Sequence, residues 1–294
     1  MLTRGVDDVA CSALATRNAH ARDAGIAFVE EGHVYYRIDS RDNSRGSAFG
    51  RSVTGLLHAV DPDPFVPADA LRRIRASRNP NPKYAGLSDE QILAAWSASA
   101  PDGTLLHALM ERHLNGAPVA LDAVRADIVS EFRMLVAWLD AQRAAGWEPY
   151  RTEWVIYPDA FDVAGSVDCV LRHAARDEYM IVDWKRCDIT GAGFERAFRD
   201  QRLLAPMESH PASKRAHWLL QVNLYRHVLE SCYGMRIAHM CMVVAHAATN
   251  TTGAAVEIPH GVVDVAPLLQ LCARGVAAAP APGPDAPPAD APAS

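Results

Sequence analysis

The stretch "AGSVDCVLRHAARDEYMIVDWK", residues 164 to 185, constrains the fold more than any other part of the chain. Two runs rich in Val, Ile, Leu, Met and Cys flank "HAARDE", so the stretch reads as an antiparallel hairpin with a polar turn. Residues paired across a hairpin have numbers of constant sum, and a turn centred near 175.5 makes that sum about 351. Asp168 then lies opposite Asp183. Directly opposed side chains have Cβ atoms roughly 4.5–5.5 Å apart, and like charges there oppose pairing. Burying both carboxylates costs several kcal/mol more unless they are protonated or share a cation. Hard oxygen donors at this spacing suit Mg²⁺ or Mn²⁺. Strand alternation puts Lys185 on the face of Asp183 and turns Val182 and Trp184 to the other. A lysine so placed can orient or deprotonate water, or balance charge developing on a phosphate.

Around the hairpin the hydrophobic period changes once. Residues 26–38 and 52–57 have short strand patterns, the second with the alternative of a strand leading into a turn, and helical patterns follow at 68–76 and 88–98, the latter opened by Ser88. A helix beginning at Pro101–Thr104 and a long one over about 121–145 come next, each closed by a glycine. From residue 150 the order is strand, strand, strand, an irregular stretch, a helix over about 214–231 and a strand over about 236–246. This predicts an α/β fold with a mixed sheet flanked by helices. Three regions are expected: a mostly helical N-terminal region over 1–100 forming a cap, a core over 101–276, and a disordered tail over 277–294 made only of Ala, Pro, Asp, Gly and Ser.

Further polar residues lie on these elements. Glu153 sits on the strand before the hairpin, with Trp154 and Ile156 on the opposite face, and could hold a cation directly or through water. Thr104, His107 and Glu111 share one face of a helix, and Gln221 and Tyr225 one face of a later helix.

Taken in order, G-T-L-L-H (103–107), Glu153, A-G-S-V-D (164–168), V-D-W-K (182–185) and Q-V-N-L-Y (221–225) resemble the PD-(D/E)XK nuclease superfamily, and within it the RecB-type and lambda-exonuclease-like branch. The resemblance spans about residues 103–246 and implies a restriction-endonuclease-like core of order αβββαβ. It implies Asp168 and Asp183 as acidic metal ligands, Lys185 as the catalytic lysine, and the Trp184 carbonyl completing the metal shell. His107 would be a further ligand, Glu153 the acid of the first core strand, and Thr104, Gln221 and Tyr225 would position DNA. The implied activity is Mg²⁺- or Mn²⁺-dependent hydrolysis of DNA in replication, recombination or repair, by an exonuclease on single strands or duplex ends. Partner proteins of those processes would act in trans. A structure-specific or restriction-type endonuclease, or a binding module of the same fold without catalysis, are the alternatives. Asp183 stands where many members have Glu, which shifts the subgroup.

Composition bears on the partners. The net charge is −6, yet residues 71–83 carry Arg72, Arg73, Arg75, Arg78 and Lys83 with no acid, and residues 186–226 carry seven basic against four acidic side chains. Both stretches are expected to track a nucleic-acid backbone. The six cysteines are scattered, without a C-x-x-C pair, so neither zinc nor an iron–sulfur cluster is expected. No P-loop is present, so no helicase motor accompanies the core. No apolar run is long enough to span a membrane, and residues 1–25 hold no secretory h-region, so an intracellular location is expected.

Overall fold

A mixed sheet organises a computed structural model that describes residues 11–77, 84–191, 194, 195, 197, 200–246 and 249–273. Its central strands are β5 (Glu148–Ile156), β6 (Val163–His173), β7 (Glu178–Lys185), β8 (Ile237–Val244) and β9 (Val256–Pro259). β5, β6 and β7 pair antiparallel in succession, β7 and β8 pair parallel, and β9 returns antiparallel to β8. Parallel neighbours need a crossover, and α6 (Lys214–Tyr233) lies between them in the chain.

The sheet is buried on both faces, and the alternation of β8 shows how. Met240, Met242 and Val244 join the core that includes Trp218, Leu220 and Leu224 of α6, whereas Cys241, Val243 and Ala245 join a second core. The second is built by α4 (Asp89–Leu114) and α5 (Ala126–Ala144), through Leu106, Leu109, Met110, Phe132 and Leu135. Central strands buried on two sides read as nearly continuous apolar runs, as "MCMVVA" does here.

The N-terminal region departs from the mostly helical cap expected of it. Short α1 (Ala13–Arg17) precedes a three-stranded antiparallel sheet of β1 (Ile26–Val29), β2 (Val34–Ile38) and β3 (Arg45–Ala48). Then β4 (Arg51–Ser52) pairs in parallel with the start of β6, and "SVTGLL" proves to be the end of that strand followed by α2 (Val53–His58). The Ser52 hydroxyl caps α2 by accepting from the Gly55 amide at 2.9 Å. Val53, Leu56, Leu57 and Val60 enter the same core as α6, and Leu14 enters the other. These residues belong to the main core, whereas Ala70, Tyr84, Ile92 and Trp96 of the same region form a cluster of their own.

The boundary expected at residue 100/101 falls inside α4, which runs unbroken through Pro101. Proline removes a single backbone donor, and the helix is held on either side of it. Its first half packs Ile92 and Trp96 against Ala70 of α3 (Pro67–Ala76) and Tyr84, and its second half is in the sheet core. The start is the expected one: Ser88 and Gln91 form a reciprocal capping box. Arg78, Lys83 and the tail over 277–294 lie outside the described residues. Among the described residues, no helix is long and apolar enough to cross a membrane.

One glycine of the hairpin has a packing reason. A Cβ on Gly165 would stand 2.8 Å from Val53 Cγ2 and 2.9 Å from Tyr225 Cε1, so α2 and α6 close onto β6 at this point. Gly165→Ala is therefore expected to destabilise the protein by about 1–3 kcal/mol in urea unfolding, as overpacked cores do. Adding Val53→Ala is expected to return part of that loss; equal stability of Gly165→Ala and the parent would contradict this packing.

Candidate metal centre

The β6–β7 ladder pairs His173 with Glu178 and continues to Cys169 with Val182, all summing to 351. Extended one position past that ladder, the same register brings Asp168 to Asp183, as the turn position predicts, and the Asp168 carboxylate reaches the neighbouring Trp184 amide. On the other side of β6 the pairs Thr152–Cys169 and Trp154–Val167 sum to 321, which puts Glu153 opposite Asp168. Three carboxylates on three neighbouring strands thus lie in one row, with Asp168 in the middle. Glu153 holds its place in a left-handed conformation, φ 42°, which is costly for a residue with a Cβ.

His107 reaches the row from α4. Its Nδ1 is 3.4 Å from Asp168 Oδ2 and 3.8 Å from Glu153 Oε1. Its Nε2 is 2.9 Å from the Trp184 carbonyl oxygen, and since a carbonyl only accepts, Nε2 is the donor. Asp168 Oδ2 accepts from the Trp184 amide at 2.9 Å, and the Ser166 hydroxyl donates to Glu153 Oε2 at 3.2 Å. His107, Glu153 and Asp168 each offer a donor atom within 4.8 Å of the other two, a set able to hold a metal ion. The membership differs from the expected His107, Asp168, Asp183 and Trp184 carbonyl. Glu153, which could also hold a cation, is in the set, while Asp183 is ion-paired with Lys185 and the Trp184 carbonyl accepts a hydrogen bond from His107.

Asp183 is occupied otherwise. It is 1% exposed, with Oδ1 2.7 Å from Lys185 Nζ. Beyond that ion pair, neither of its carboxylate oxygens has a directed hydrogen bond among the described residues. Buried carboxylate oxygens without donors are rare, and a neighbouring cation is one way to compensate them.

Electrostatics follow from this crowding. Burial, and after it the Asp183 carboxylate, hold the Asp168 carboxyl well above the usual range. Burial disfavours charge on His107, but Asp168 and then Glu153 outweigh it and its pKa is pushed up to about 10. Without a cation, the centre therefore keeps protons that a metal would displace.

The other expected positions divide. Gln221 Nε2 donates to the Tyr225 hydroxyl at 3.3 Å, and both are buried. Burial first, and then Asp183, raise the Tyr225 pKa, which puts the pair beside the row. Thr104 is exposed, and its hydroxyl donates to the Ala100 carbonyl of its own helix. The three described arginines of the basic stretch are paired: Arg72 with Asp69, Arg73 with Asp63 at 2.6 Å and Arg75 with Asp89 at 2.7 Å. Arg186, next to the catalytic candidate Lys185, is likewise bound to Glu131 at 2.6 Å and Asp127 at 3.0 Å. Such acids offset much of the positive charge counted along the sequence. Tyr35 on β2 is a site residue that sequence patterns missed. It is 4% exposed, and burial, then Glu153 and Asp168, raise its pKa. It packs in one cluster with Ala164 of β6, more than a hundred residues later in the chain, and no local period reports such packing.

No protein-family model matches the chain, and no curated protein matches it significantly.

Proposed function

We propose that the chain is a divalent-cation-dependent deoxyribonuclease with a restriction-endonuclease-like core, acting as an exonuclease. One observation carries this reading: Glu153, Asp168 and Asp183 abreast on three strands, with His107 over the row and Lys185 paired to its buried end. A buried row of acids is expensive for a fold that does not use it. The ordered resemblance of the five motifs to PD-(D/E)XK nucleases supports DNA as the substrate.

His107, Glu153 and Asp168 would hold the cation, with Asp183 adding charge from the neighbouring strand. Two carboxylates and an imidazole suit Mn²⁺, and Mg²⁺ where water fills more of the shell. When bound, the cation would supply Lewis-acid polarisation of the scissile phosphate and ease deprotonation of a water. Lys185, ion-paired with Asp183 at 2.7 Å, would offer a proton donor and a positive charge where negative charge develops on phosphate oxygens. Asp168 is fixed by the Trp184 amide and Glu153 by Ser166, so neither must reorganise as substrate arrives. Gln221 and Tyr225 present a buried amide and hydroxyl beside Asp183, suited to orienting the strand end.

End-labelled linear and circular single-stranded DNA, incubated in Mg²⁺, Mn²⁺ or EDTA, test the proposal. Metal-dependent loss of the linear substrate alone is the expected result. Loss of the circle as well would replace the exonuclease with an endonuclease, and survival of both in every metal would remove the nuclease reading.

A further inference from the structure

The turn between β1 and β2 brings aromatic surface to the acid row, and the chemistry above does not use it. In "EEGH", Gly32 and His33 both take left-handed conformations, φ 78° and 50°, and the His33 amide donates to the Glu30 carbonyl at 2.9 Å. The exposed His33 ring meets Phe28 edge-on, with centroids 4.8 Å apart, and Tyr35 edge-on at 5.6 Å. Its Nε2 is 3.4 Å from the Tyr35 hydroxyl, and Phe28 packs on Tyr35 at 4.9 Å. Tyr35 and Phe28 pack in one cluster with Val155 of β5 and Ala164 of β6, two and four residues from Glu153 and Asp168. The three rings form a ledge whose buried end adjoins the acids and whose outer end is open.

The local charge indicates what could rest there. Glu30 and Glu31 flank the ledge in the turn, and Glu153 lies behind it, so a phosphate would be repelled. A neutral planar group would not. Nucleobases stack on aromatic side chains whatever their identity. A base inside a duplex has both faces covered and a terminal pair offers only its outer one, so an unpaired nucleotide at a strand end is the most free to lay a face on His33.

We infer that His33, supported by Phe28 and Tyr35, is a stacking platform for an unpaired nucleobase beside the reacting phosphate, so that the site takes single-stranded rather than closed duplex DNA. This rests on the nuclease reading. His33 acts here as a positioning residue, since the base it would hold is not the reacting group.

The test begins with wild-type cleavage of single-stranded DNA in Mn²⁺, which addresses the nuclease reading alone. Binding of fluorescent thymidine oligomers, intact or with one abasic residue at each position in turn, is then measured by anisotropy with Ca²⁺ replacing Mn²⁺. His33→Asn removes the ring while keeping a residue that tolerates left-handed backbone. The expected result is a loss of about five- to tenfold for His33→Asn on intact oligomer, near the weak end of base–aromatic stacking. One abasic position should cost the wild type the same factor and cost His33→Asn nothing further, and His33→Trp should bind at least as well as the wild type. Unchanged binding by His33→Asn, or abasic and His33 penalties that multiply at every position, would overturn the platform while leaving the nuclease reading in place. Absence of any DNA cleavage or binding by the wild type would overturn both.

Discussion

Lys185→Met is expected to lower the cleavage rate by about 10²–10⁴-fold, the usual contribution of a positioned proton-transfer group. It is also expected to destabilise the fold. The substitution leaves Asp183 buried at 1% exposure without its partner, and breaking one side of a buried ion pair costs about 3–5 kcal/mol. Replacing both partners removes the uncompensated charge, so Asp183→Asn with Lys185→Met is expected to recover most of the stability and none of the activity. Denaturant unfolding in EDTA and cleavage in Mn²⁺ separate the two effects. A double variant as unstable as the single one would mean that Lys185 supports the core by packing rather than by charge. Wild-type rates in either variant would remove Lys185 from the chemistry.

Metal-free protein is expected to lose stability as pH rises through neutrality, and Mn²⁺ to reverse that loss. The folded state holds the His107 proton up to about 10, so its contribution is full below the ordinary imidazole value of 6.5 and is lost on rising through about 10. Asp168 has the same sign, because its raised folded pKa makes stability fall from the ordinary carboxylate range upward. A divalent ion replaces those protons, so its binding strengthens with pH. At about 100 times its Kd, Mn²⁺ should add about 2.7 kcal/mol, or roughly 4–5 °C in Tm for a chain of this size. Asp168→Asn keeps an oxygen for the Trp184 amide but removes a ligand and the central charge of the row. It should be at least as stable as the wild type in EDTA at neutral pH and gain little from Mn²⁺. A Tm rise of equal size in Asp168→Asn would place the cation elsewhere.

Local sequence carried the acid pair, because a short turn fixes the register of the strands it joins. Asp168 and Asp183 follow from that turn alone, and Asp183 with Lys185 from strand alternation. His107 and the Gln221–Tyr225 pair were suggested by the order of motifs, since nothing local reveals which helix faces a sheet. Glu153 was placed on the right strand, but its membership of the donor set depends on pairing with β6 and on a left-handed backbone that no pattern announces. A charge count over 71–83 leaves out Asp63, Asp69 and Asp89, the acids that pair with its described arginines, because those pairings cross from one element to another or lie outside the stretch. The cap misled because β4 pairs with a strand more than a hundred residues later, and helix-like composition nearby says nothing of that.

The row of carboxylates also has a place in the order of folding. A hairpin closes first at its turn, where His173 and Glu178 pair, and zips away from it on the microsecond scale. Its ladder stops at Cys169 and Val182, so the mutually repelling acids lie just past the last rung. Every favourable rung is made before the unfavourable one is met, and fraying at that end sacrifices none of them. The hairpin thus closes without regard to the charge it carries, while β5 and β8 go on pairing past its end, at Trp154–Val167 and Lys185–Val244, and fix the strands that bear the acids.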